Sequence, residues 1–61
     1  MFGRKRDARD KQIAAYVRAL RHRNGGGMGF GDVARLARQD GRNYDAREVS
    51  RVMSDMSRGE L

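Results

Sequence analysis

Cysteine is absent from the 61 residues, so neither a disulfide staple nor a thiolate zinc site is available. There is one histidine, His22. A metal held by it would have to recruit carboxylates, and no spacing places them; no metal and no cofactor is expected. No apolar run approaches the roughly 18 residues of a membrane span. The opening MFGRKR is basic but lacks the apolar stretch of a signal peptide. A cytoplasmic chain, nucleoid-associated or inside a virion, is therefore expected, with no membrane partner. Aromatic residues are also few, two tyrosines and two phenylalanines, which leaves little for stacking single-stranded bases. No carboxylate pair, nucleophile–base pair or metal cluster is set up by the spacing, and so small a chain has little room for a pocket. An enzyme is not expected.

What is present is positive charge and short apolar clusters. The net charge is +6 and the sequence pI is about 11.1. Arginine supplies 12 of the 14 basic residues, a bias that a GC-rich genome explains in part, although it does not account for the net excess. Such an excess favours a polyanionic partner, most commonly nucleic acid. The hydrophobic content of 38% is modest but clustered, which argues for a folded core rather than disorder. At this length the core is small, and one domain is the most the chain can form.

Three amphipathic segments are legible. Residues 1–6 form a basic arm without periodicity, and Arg4, Lys5 and Arg6 are candidate phosphate contacts. Asp7 to Arg23 is predicted as a first helix, with Asp7 as cap, Asp10 at the positive end of the dipole, and Ile13, Tyr16, Val17 and Leu20 at i, i+3, i+4, i+7. Lys11, Arg18 and His22 project from its opposite side with Arg21 and Arg23 flanking; in the last turn arginines also suit the helix dipole, and His22 reads as a solvated residue. The Gly-rich loop Asn24–Gly31, NGGGMGFG, stops that helix and matches neither a Walker nor a dinucleotide-binding pattern. Met28 and Phe30, two apart, are expected to point to one side of an extended segment and plug the core. A second helix is expected over Asp32–Gln39, started by Gly31 or Asp32, with Val33, Leu36 and Ala37 inward and Gly41 as its stop. Tyr44–Ser57 is the third, with Asp45 and Glu48 in the N-cap and N3 positions of a capping box, and Tyr44 and Val49 as a hydrophobic staple. Its inner stripe is Val49, Val52, Met53 and Met56. Arg47, Arg51, Ser54 and Arg58 lie on its other side, and Gly59 ends it; Leu61 is placed to fold back on the core. The three stripes together define an all-α, compact three-helix bundle over residues 7–61.

This order resembles the helix-turn-helix group, and its winged-helix branch in particular. DVARLA, Asp32 to Ala37, is similar to the second helix of such domains, EVSRVMSDM, Glu48 to Met56, to their recognition helix, and RGEL, Arg58 to Leu61, to the exit toward a wing. The resemblance covers Ile13 to Leu61. Two features depart from the family: the turn from Ala37 to Val49 is longer than in the compact bacterial motif, and the chain stops where a wing hairpin would begin. Winged-helix domains that bind left-handed nucleic acid carry Asn and Tyr at the positions held here by Ser50 and Ser54, so that specificity is not implied. The likeness implies a third helix in a major groove. Arg47 and Arg51 would then make base-edge or phosphate contacts, Ser50 and Ser54 weaker polar contacts, and Arg35, Arg38 and Arg42 would position the backbone.

The expected function is that of a small nucleic-acid-binding protein, a DNA-binding transcriptional regulator or architectural factor of phage, plasmid or bacterial type, with double-stranded DNA as partner ahead of RNA. A homodimer would gain affinity, although no separate dimerisation helix is visible. The alternative is a small phage-type module that docks on an acidic host or virion protein, for which the four methionines offer an adaptable surface.

Overall fold

The computed structural model describes Ala8–Leu61 and consists of three helices, α1 (Ala8–Asn24), α2 (Phe30–Gln39) and α3 (Ala46–Ser57), with no strand among the described residues. The basic arm with Arg4, Lys5 and Arg6, and the expected cap Asp7, lie outside the described residues. None of the described helices is long and apolar enough to cross a membrane.

The core follows the three apolar stripes. Ile13, Ala14, Val17 and Leu20 from α1, Val33 and Ala37 from α2, and Val49 and Val52 from α3 are buried together with Tyr44 from the turn before α3. Burying a Val or Ile side chain is worth roughly 1.5–3 kcal/mol, and Ile13, Val17, Val33, Val49 and Val52 are fully buried. Each helix alone is too short to persist in water, so this shared core is what makes them helices at all. α3 is the element that packs extensively against both of the others. Tyr16, Leu36, Met53 and Met56 line the core's edge half-buried, and Leu61 folds back onto it.

The helix ends have local causes. Asp45 is the N-cap of α3 with extended backbone, and its carboxylate accepts the Glu48 N–H at 2.9 Å. Only this half of the capping box forms, because the Glu48 carboxylate turns to Arg9 of α1 instead. α2 stops in a Schellman motif: Arg42 N–H bonds Ala37 C=O at 2.8 Å and Gly41 N–H bonds Arg38 C=O at 3.1 Å, with Gly41 at φ +79°. α3 ends the same way, with Glu60 N–H on Asp55 C=O and Gly59 at φ +76°.

Two expectations for the segment before α2 are corrected. The helix starts at Phe30, not at Gly31 or Asp32, with Gly29 as an N-cap that offers no side chain; Val33 N–H closes the first turn on Gly29 C=O at 3.1 Å. Phe30 therefore obeys helical rather than two-residue periodicity. It leaves Met28 to pack on the core alone and stands 49% exposed at the surface. Asp32 gains a place inside the first turn, where its charge suits the helix dipole.

Candidate nucleic-acid interface

The outward arc of α3 is set by its inward one. With Val49 and Val52 buried, the 100° step per residue leaves Ala46, Arg47, Ser50, Arg51, Ser54, Ser57 and Arg58 on the solvent side. No carboxylate projects from that arc. Four small residues there leave the helix surface low, while the arginines stand at its flank. Across a shallow groove lined by Ala34, Tyr44, Asp45 and Ala46, α2 contributes Arg35 and Arg38.

The arginines divide by what holds them. Arg51 makes a bidentate pair with Asp10 of α1, Nη1 to Oδ2 at 3.0 Å and Nη2 to Oδ1 at 2.9 Å. The Asp10 side chain is only 7% exposed, against 44% for Arg51, so the guanidinium covers a carboxylate that sits at the edge of the core. Hydrogen bonding to Asp10, outweighing the cost of partial burial, raises the Arg51 pKa above its ordinary value, and the charge is permanent at any working pH. Arg58 lies 2.9 Å from Asp55 Oδ1, one turn back, and 3.7 Å from Glu60. Asp55 is buried, and its Oδ2 is 4.0 Å from Arg51 Nη1. A chain Asp10–Arg51–Asp55–Arg58 thus runs along one flank of α3.

One turn earlier the charges are exchanged. Arg9 of α1 grips the Glu48 carboxylate with Nε and Nη2, and Nη2 also donates to the Asn43 carbonyl at 2.6 Å. The hydrogen bond to Glu48 raises the Arg9 pKa. Adjacent α1 residues of opposite sign, Arg9 and Asp10, therefore meet Glu48 and Arg51, three apart on α3, and fix the register of the two helices.

The remaining candidates sit as follows. Arg47 and Arg38 are exposed and make no side-chain hydrogen bond or ion pair among the described residues. Arg35 is exposed and contacts Asp32 at 3.1 Å. An exposed i, i+3 pair of this kind is weak and yields readily to another anion. Arg42 belongs to an aromatic cluster: its guanidinium lies 4.8 Å from the Tyr16 ring centre and donates to Tyr44 Oη at 3.2 Å. Tyr16 and Tyr44 meet edge-to-face at 5.9 Å, and Tyr16 Oη donates to Asp40 at 2.6 Å. Burial, and then the bond to Asp40, push the Tyr16 phenol up to about 12. Ser50 is half-buried and Ser54 exposed on the outward arc.

The structure thus groups Arg47, Ser50, Arg51, Ser54 and Arg58 on one face with Arg35 and Arg38 beside it, and sets Arg42 apart, packed against α1. What sequence reasoning missed is the set of partners. Asp55 and Arg58 are three apart and legible as a pair; Asp10 with Arg51 and Arg9 with Glu48 are about 40 residues apart and carry no local signal. Comparison with protein-family models, with curated proteins and with solved structures finds no match for this chain.

Proposed function

We propose that this protein binds nucleic acid, double-stranded DNA before RNA, as a small regulator or architectural factor that presents α3 to the duplex. The observation that carries the reading is the outward arc of α3, where arginines and serines face solvent, while Asp10, Asp55 and Glu48 each pair with an arginine and the exposed Asp45 is engaged as the helix cap by the Glu48 N–H. Arg47 is the uncompensated cation of that arc, and Arg38 with the weakly paired Arg35 flanks it from α2. Guanidinium groups suit bidentate contact with phosphates and guanine edges, and the small residues at 46, 50, 54 and 57 allow the helix backbone to approach a groove floor closely. Arg51 and Arg58 keep outer donors for phosphate while anchored to carboxylates.

The test is a salt-titrated binding assay with duplex DNA, single-stranded DNA and RNA side by side. With five phosphate contacts, affinity for the duplex falls by roughly two to three orders of magnitude between about 50 and 200 mM salt. Replacing Arg38 and Arg47 by glutamine weakens binding and flattens that slope by about two contacts' worth. Binding indifferent to salt, or equal binding by the double variant, rejects the reading. A protein-docking role is the second reading, favoured by one observation, the half-exposed Phe30. Under it, Phe30→Ser abolishes partner binding and the arginine variants do not.

A further inference from the structure

We infer that the outward face of α1 is a second phosphate-binding surface, so that one molecule joins two duplex segments; this rests on the nucleic-acid reading of α3. α1 carries Lys11, Arg18, Arg21 and Arg23 on exposed positions, and its one described carboxylate, Asp10, is turned inward onto Arg51. Lys11, Arg21 and Arg23 make no side-chain hydrogen bond or ion pair among the described residues. Arg18, exposed beside Lys11, donates from Nη2 to the Leu61 carbonyl at 2.8 Å, and its other donors make no hydrogen bond among the described residues. Two carboxylates border this face. Glu60 lines the groove beside Lys11 and Arg18 but lies 3.7 Å from Arg58, and Asp40, on the Arg23 side, accepts the Tyr16 hydroxyl. Between the cations the ridge carries the low Ala15 and Ala19, with Gln12 and His22 exposed beside them. On α3, Arg51 and Arg58 are matched by Asp10 and Asp55 and Arg47 is left unpaired among the described residues, against Lys11, Arg21 and Arg23 on α1, so the larger uncompensated charge is on α1.

The two faces look out on different sides of the bundle. α1 turns Ile13, Val17 and Leu20 toward the core, α3 turns Val49 and Val52 toward it, and each polar face points away. The whole body measures 36 × 22 × 16 Å. DNA is stiff over about 150 base pairs, so a straight duplex resting on α3 leaves the protein without curling round to α1. The α1 cations are then open to another segment.

The experiment uses the full chain with two unrelated duplexes, one fixed to beads and one fluorescent, and reads the fluorescent duplex retained. The variants are Lys11→Gln/Arg18→Gln/Arg23→Gln on α1 and Arg38→Gln/Arg47→Gln beside α3, with single-duplex affinity and helicity measured for each. The α1 variant is expected to keep single-duplex affinity within about threefold of wild type, one face remaining. Its retention of the second duplex is expected to drop at least tenfold. Three phosphate contacts on α1 imply that wild-type capture of the second duplex weakens roughly forty-fold between about 50 and 200 mM salt. Wild type that binds one duplex and retains no second one overturns the inference and spares the α3 reading. So does an α1 variant that bridges like wild type, since copy–copy contact then does the joining. Wild type that binds no duplex removes both readings. If the triple variant loses helicity, Lys11→Glu carries the same test at a residue with no ion pair to break.

Discussion

Removing Asp10 should move stability and nucleic-acid affinity in opposite directions. In the Asp10–Arg51 pair the carboxylate is 7% exposed and the guanidinium 44%. Breaking a fully buried pair by deleting one partner costs about 3–5 kcal/mol, and an exposed pair is worth about 1 kcal/mol at most. A bidentate pair with one side in water falls between, at roughly 1–2 kcal/mol. For a domain of this size, with total stability of roughly 3–8 kcal/mol, that is a large share. At about 4–8 °C per kcal/mol it lowers Tm by roughly 5–15 °C. A double-mutant cycle with Asp10→Ala and Arg51→Ala, followed by circular dichroism in urea and on heating, isolates the coupling. The same Asp10→Ala protein should bind duplex DNA more tightly at low salt, because Arg51 no longer shares its guanidinium between a carboxylate and phosphate. Arg51→Ala should lose on both counts. A coupling energy below about 0.3 kcal/mol, within the additivity of independent sites, refutes the account of Arg51 as the cover of Asp10. An Asp10→Ala protein with unchanged or weaker DNA binding refutes the competition between carboxylate and phosphate.

Other consequences follow from single sites. Phe30→Ser should cost about 1 kcal/mol or less in urea unfolding, since the ring is half in water, while Val49→Ala should cost roughly 2–3 kcal/mol; the reverse order would place Phe30 in the core after all. Gly41→Ala should cost about 1–2 kcal/mol from left-handed backbone alone, because a Cβ there meets nothing within 4 Å and no clash adds to it. Tyr16 is protonated more firmly in the folded chain than in the unfolded one, so its contribution is complete below the free phenol's pKa near 10 and disappears as pH rises through about 12. The Tyr16–Asp40 contact is exposed and therefore screened, leaving roughly 1–2 kcal/mol to be lost across that window. Tyr16→Phe should flatten the stability-versus-pH curve there relative to wild type, and ultraviolet phenolate absorbance should report the late ionisation directly.

Much of the architecture was legible because its causes are local. Helical period, an Asp at the N-cap of α3, and a glycine just past the ends of α2 and α3 each act within a few residues, and the stripes they delimit are the ones that pack: Ile13, Val17 and Leu20, then Val33 and Ala37, then Val49 and Val52. Phe30 escaped the same logic. Whether Phe30 obeys an extended or a helical period depends on where α2 begins, and Gly29, with no side chain, gives no sign of that boundary.

The arginines mark the division between the two levels. Their number, their helical spacing and the resulting excess of positive charge are properties of the chain itself, and no fold alters them. Which of them remains available to an external anion is a tertiary matter. It depends on bringing Asp10 to Arg51 and Arg9 to Glu48 across about 40 residues, which the packing of α1 on α3 accomplishes. Coulomb attraction between such groups is worth most at the short range and low local dielectric that only the folded contact provides. The third helix, which by its sequence carries the row of arginines, thereby surrenders part of that charge to the protein's own carboxylates, while the first helix gives up Arg9 to Glu48 and keeps Lys11, Arg21 and Arg23 unpaired among the described residues.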